Sequence, residues 1–165
     1  LIADPETPNK LEAGRTDLVR ICVACNDACI YQVGQEKAIR CIHNPGAGQE
    51  REVNERLVVS ADAARRVVVV GGGPAGLKVA EIAAKRGHKV TLLESEPMLG
   101  GQVRLAAKQP EHEIIGEVTR YLEAAVTDLE VNLQLGVTAT PESLQELAAD
   151  VIVIATGSEP NLPNQ

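Results

Sequence analysis

From residue 67 onward the chain alternates between two hydrophobic rhythms. Val67 to Val70 is an unbroken apolar run, the mark of a strand covered on both faces. From Leu77 to Gly87 the apolar positions fall at helical spacing, which predicts a helix near 75–86. Lys89-Val-Thr-Leu-Leu-Glu94 reads as a second strand. A short helix is expected over 102–108 and an amphipathic one over 113–127, the latter with Ile114, Ile115, Val118, Tyr121, Leu122 and Val126 on one face. A strand at 130–135, a helix at 141–148 opened by Thr140, and a further buried strand at 150–155 complete the pattern. Alternating strands and helices predict an α/β fold, a partial doubly wound parallel sheet. The first 60 residues lack this rhythm. They offer a short helix over 9–20, an Asn44-Pro45-Gly46 turn and a charged, exposed stretch over 50–55. The expected organisation is 1–20 as the tail of a preceding element, 21–60 as a small irregular four-cysteine segment, and 61–165 as the first part of a dinucleotide-binding domain.

The joint between the first strand and its helix carries chemistry. Gly71, Gly73 and Gly76 form G-x-G-x-x-G after a strand and at the opening of a helix. In that setting the first glycine makes the turn, the second admits a pyrophosphate to the backbone, and the third lets helix and strand approach. Pro74 suits the first helical turn, where its missing N–H would have had no partner. Free amides and the positive end of the helix dipole then face the phosphates. Glu94 ends the second strand about 20 residues on, where a carboxylate accepts bonds from a ribose diol and repels a 2′-phosphate.

The cysteines form the second candidate site. All four lie close together, as Cys22-x2-Cys25-x3-Cys29-x11-Cys41. Three thiols within eight residues plus a distant fourth resemble cubane 4Fe-4S ligation. Zinc suits four thiolates but draws its ligands more often as two separated pairs. Buried structural thiols are the third possibility. His43, His88 and His112 read as supporting or surface residues, and no Ser sits in a nucleophile setting.

Charge and composition narrow the classes. A net charge of −7 argues against nucleic acid and anionic membrane surfaces. No apolar run is long enough to span a bilayer and no signal peptide is visible, which predicts a cytoplasmic protein. Tyr31 and Tyr121 are the only Phe, Tyr or Trp residues, so an aromatic substrate box is not available. The start lacks Met, which suggests a piece of something longer.

Taken in order, these motifs resemble the C-terminal part of multidomain NADH:flavin oxidoreductases of the 2,4-dienoyl-CoA reductase and trimethylamine dehydrogenase type, old-yellow-enzyme-like enzymes. The resemblance rests on Leu1-Ile-Ala-Asp-Pro5, Cys22-Val-Ala-Cys25-Asn26 with Cys29, Cys41-x-x-Asn44-Pro45, Gly71-Gly-Gly-Pro-Ala-Gly76, Leu99-Gly-Gly-Gln102 and Ala155-Thr-Gly157. The x3 gap after Cys25 is similar to the dienoyl-CoA reductase branch. The resemblance implies a glutathione-reductase-like FAD module, with ADP replacing FAD in the amine dehydrogenase relatives. It implies that Cys22, Cys25, Cys29 and Cys41 ligate a 4Fe-4S cluster. Gly71, Gly73, Pro74, Ala75 and Gly76 would line the FAD pyrophosphate. Glu94 with Ser95 would take the ribose, Gly101 and Gln102 the ribityl or phosphate region, Ala139 the adenine, and Gly157 the passage of the final loop. An FMN-bearing TIM barrel and an NAD(P)H-binding segment would lie on other domains or subunits, and with them the substrate chemistry, reduction of an enoyl-type C=C bond.

Overall fold

The computed structural model describes residues 2–53 and 60–158. Leu1, Glu55 of the charged stretch and the 160–165 tail lie outside the described residues. Four strands, β1 (Arg66–Val70), β2 (Lys89–Glu94), β3 (Asn132–Leu135) and β4 (Val151–Ile154), form one parallel sheet in the order β3-β2-β1-β4. This is the doubly wound α/β arrangement expected from the alternation. Val69 lies opposite Leu92 on one side and Val153 on the other. Val67, Val68 and Val69 are all buried, as an apolar run in the middle of a sheet requires.

Among the described residues, the helices accompanying the sheet include α1 (Thr7–Glu12), α2 (Ile30–Gly34), α3 (Pro74–Lys85), α4 (Val103–Ala106), α5 (Glu117–Asp128) and α6 (Pro141–Glu146). Helices α3 and α5 pack together, and their apolar faces join β1 and β2 in one core. Leu77, Leu92, Val69 and Val126 are fully enclosed there, and each such side chain stabilises the fold by about 1.5–3 kcal/mol. Helix α6 starts where the sequence places it. The Thr140 side chain accepts from the Ser143 amide at 3.2 Å, and Ser143 Oγ accepts from the Thr140 amide at 2.9 Å.

Three expectations change. The helix over 9–20 is two pieces, α1 and a 3-10 turn at Thr16–Leu18, because Gly14 at φ +69° ends the first. The 113–127 helix likewise begins as a 3-10 turn, Glu113–Gly116, before α5. And β4 is not buried on both faces: as the edge strand it leaves Ile152 and Ile154 45% and 64% exposed. Short helix α2 had no periodic signal in five residues.

The N-terminal arm is fastened to α5 by charge. Arg15 reaches Asp128 at 2.7 Å, and Arg120 donates to the carbonyls of Asp17 and Val19 at 2.8 and 2.7 Å. These bonds bring the cysteine segment against the sheet domain. No helix among the described residues is long and apolar enough to cross a membrane.

Candidate functional site

The glycine turn follows the C-terminal end of β1. Gly71 adopts φ +108°, and a Cβ on it would meet the Ala155 carbonyl oxygen at 2.3 Å. A Cβ on Gly76 would lie 1.9 Å from the Gly71 oxygen, so helix and strand touch only because that atom is missing. At Gly73, the N-cap of α3, a Cβ would meet nothing within 4 Å. The turn is therefore closed behind and open in front, with Pro74 in the first helical turn. Such an opening at a helix N-terminus of twelve residues suits an anionic pyrophosphate.

Glu94 faces this turn from the end of β2. Its carboxylate accepts the Gly72 amide at 2.6 Å, the Glu96 amide at 2.8 Å and the Ser95 hydroxyl at 3.1 Å. Burial opposes its ionisation, but the Glu96 and Gly72 amides and the Ser95 hydroxyl outweigh it and hold its pKa below the usual range. A carboxylate offers about four lone-pair positions, most of them taken here by the Gly72 and Glu96 amides and by Ser95. Gly72, which the sequence motif leaves as an x position, is needed too: its Cβ would meet Leu99 at 2.5 Å and Glu94 at 3.0 Å.

The other expected residues surround the same mouth. The Gly100 amide donates to the Gly72 carbonyl at 2.8 Å, and Gly101 comes within Cβ contact distance, 3.1 Å, of the Gly73 Cα. The Gln102 side chain donates to the Ser158 carbonyl, joining this loop to the one that carries Gly157 at φ +78°. Exposed Ala75 lies in the first turn of α3. Ala139 is half-buried in the β3–α6 loop, two residues after Val137, whose amide bonds the Glu94 carbonyl at 2.9 Å.

The four cysteines are all free thiols and line one cavity of about 240 Å³. Ala24 and Asn26, at φ +53° and +55°, bend the chain between them, and Cys29 caps α2. Cys41 is drawn in by the neighbouring Arg40 amide, which donates to the Ala28 carbonyl at 2.7 Å. Among the described residues no three Cys, His, Asp or Glu side chains are close enough to hold a metal ion. Four thiols around one cavity are a donor set that suits zinc as well as an iron–sulfur cluster.

Behind the thiols lies a buried polar layer that sequence reasoning did not find. Asp4, 1% exposed, accepts Lys10 Nζ at 2.6 Å and the Arg20 amide at 2.8 Å. Burial opposes its charge and these bonds overcome it, so its pKa falls below the ordinary value. Glu81 on α3 is completely buried and accepts Lys78 at 2.5 Å, Lys85 at 2.6 Å and the Tyr121 hydroxyl at 2.7 Å. Burial would raise its pKa, but the two ammonium groups pull it down to about 2. His43 is buried, its ring edge-on to Tyr121 at 5.7 Å, with Nδ1 donating to the Ile21 carbonyl at 3.1 Å. Burial lowers its pKa, so it is neutral and not a surface residue. The only signal for Glu81 was its i−3 and i+4 lysines, which on most helices mark a solvated face.

A family model described as pyridine nucleotide-disulphide oxidoreductase matches residues 65–165. The chain is 44% identical to the NADH oxidase of Thermoanaerobacter brockii over 164 residues, 99% of this chain and 25% of that protein. It is 40% identical to the N,N-dimethylglycine/sarcosine dehydrogenase of Chromohalobacter salexigens over 98% of its own length and 23% of the relative's. Among solved structures, a 2-naphthoyl-CoA reductase in complex with 2-naphthoyl-CoA superposes with a TM-score of 0.94 at 39% identity, covering 98% of this chain and 24% of that one. The chain thus spans about a quarter of the length of the relatives it matches.

Proposed function

The chain belongs to the pyridine nucleotide-disulphide oxidoreductase family, and from that premise we propose that it is the electron-transfer portion of a larger flavin and iron–sulfur oxidoreductase. FAD would occupy the Gly71–Gly76 turn and a 4Fe-4S cluster the cavity of Cys22, Cys25, Cys29 and Cys41. The observation that carries the reading is the placement of four free thiols on one cavity, tied through His43 and Arg20 to Tyr121 of the sheet domain. When bound, the flavin supplies two-electron exchange with a nicotinamide and the cluster supplies single-electron transfer.

The chain's own residues bind and orient. The α3 N-terminus receives the pyrophosphate, Glu94 the adenosine ribose, and the Gly101–Gln102 loop the middle of the cofactor. An FMN-bearing barrel and an NAD(P)H-binding segment, on other domains or subunits of a cytoplasmic protein, would complete the path to an enoyl-type C=C bond. Similarity to an NADH oxidase and to a 2-naphthoyl-CoA reductase supports that direction. A second reading, a non-catalytic module holding ADP, is favoured by the similarity to an amine-type dehydrogenase.

Anaerobic purification with iron, acid-labile sulfide and extracted nucleotide counted on one sample separates the two. Iron, sulfide and FAD support electron transfer; zinc with ADP overturns it. Glu94→Gln, which keeps the shape but removes the charge, is expected to weaken nucleotide retention tenfold or more, about 1.5–3 kcal/mol for a charged hydrogen bond. Nucleotide content after gel filtration reads this out, and unchanged retention would place the ribose elsewhere.

A further inference from the structure

Arg20 stands between the thiol cavity and the sheet domain. It lies two residues before Cys22 and forms part of the cavity lining. Its backbone amide is held by Asp4, and its Nη1 donates to the His43 carbonyl at 3.2 Å, two residues after Cys41. The guanidinium lies 4.9 Å from the centre of the Tyr121 ring, and its Nε is buried without a hydrogen-bond partner.

The charges around it do not balance. Asp4 is paired with Lys10, and Glu81 with both Lys78 and Lys85. Among the described residues no carboxylate lies within ion-pair distance of Arg20. A guanidinium does not shed its proton in proteins, and an unmatched charge removed from water is costly. It is matched when an anionic group fills the cavity beside it. A four-thiolate cluster is net negative, and one unit more so after it gains an electron.

We propose that Arg20 is the positioning charge that sets the reduction potential of the thiolate-bound centre, favouring its reduced form. The inference rests on the iron–sulfur reading above. The step is the addition of one electron, with no proton and no bond made or broken, and a fixed cation nearby stabilises the extra negative charge through a medium that screens it poorly. Net charge and hydrogen bonding around a cluster are the levers by which protein tunes it.

The test is an EPR-monitored redox titration of the full chain, purified without air, with iron and sulfide counted beside it. Arg20→Gln is expected to lower the reduction equilibrium about tenfold, a midpoint about 59 mV more negative for a one-electron couple. Arg20→Lys should restore most of that difference. Lys10→Met, which frees the Asp4 charge beside Arg20, should shift the midpoint the same way as Arg20→Gln. A loaded Arg20→Gln protein with the wild-type potential overturns the proposal. If that variant holds no iron, Lys10→Met decides: a wild-type potential overturns the proposal and a more negative one supports it. Loss of iron from both shows that these charges hold the segment together instead, and overturns it as well. Wild-type protein without iron and sulfide defeats the iron–sulfur reading itself, before Arg20 is reached.

Discussion

Cys41→Ser is expected to abolish the cluster's share of the visible absorption, together with the iron and sulfide of the purified chain, leaving only the absorption of bound flavin. Of the four proposed ligands, Cys41 alone lies outside the Cys22–Cys29 loop, and the chain has no fifth cysteine to replace it. Its place is fixed on both sides, by the Arg40 amide on the Ala28 carbonyl and by His43 against Tyr121. A serine hydroxyl fits the space but is a hard donor with a high pKa, poorly suited to iron–sulfur chemistry. Iron counted by mass spectrometry on the same sample gives the stoichiometry. Unchanged iron and sulfide in the variant would mean that half-buried Cys41 is a structural thiol and not a ligand.

The second large effect is expected at a residue that touches neither proposed cofactor. Glu81→Ala removes the acceptor of Lys78, Lys85 and the Tyr121 hydroxyl at once. The buried Tyr121 hydroxyl is left without its acceptor, which costs about 1–3 kcal/mol, while Lys78 and Lys85, 29% and 41% exposed, can turn to water. Urea unfolding measures it; a loss under 1 kcal/mol would mean the network relaxes into water. The same carboxylate predicts a pH dependence. Its folded pKa of about 2 lies below the ordinary 4.5, so its contribution is complete above pH 4.5 and is lost as pH falls toward 2. Two to three units correspond to roughly 3 kcal/mol. Glu81→Gln should therefore flatten the acid limb of the stability curve in that window, and equal slopes for the two proteins would refute the assignment.

Why Glu81 escaped a reading of the sequence, and Glu94 did not, is physical. Glu94 ends an apolar strand at a fixed offset from a glycine turn, a local pattern with one structural solution. Glu81 has ordinary helical neighbours, and it is buried where α3 packs against α5 and meets the Tyr121 hydroxyl, a contact no local pattern announces. Asp4 and Arg20 are hidden for the same reason: their partners are Lys10, His43 and Tyr121, brought together by the tertiary fold. The parallel α/β sheet and the Thr140 start of α6 were legible because strand pattern and capping act over a few residues, whereas the strand order was not. The exposure of Ile152 and Ile154 was not, since a valine–isoleucine run reads alike at the centre of a sheet and at its edge.

The arm that carries the thiols is gripped by residues made much later: Arg120 holds the carbonyls of Asp17 and Val19, and Asp128 holds Arg15. At about 5–20 residues per second, a ribosome needs roughly 5–20 s to add the intervening hundred residues. For that interval the nascent cysteines precede the helix that fastens them, so the cavity they line closes only after residue 128 has been made.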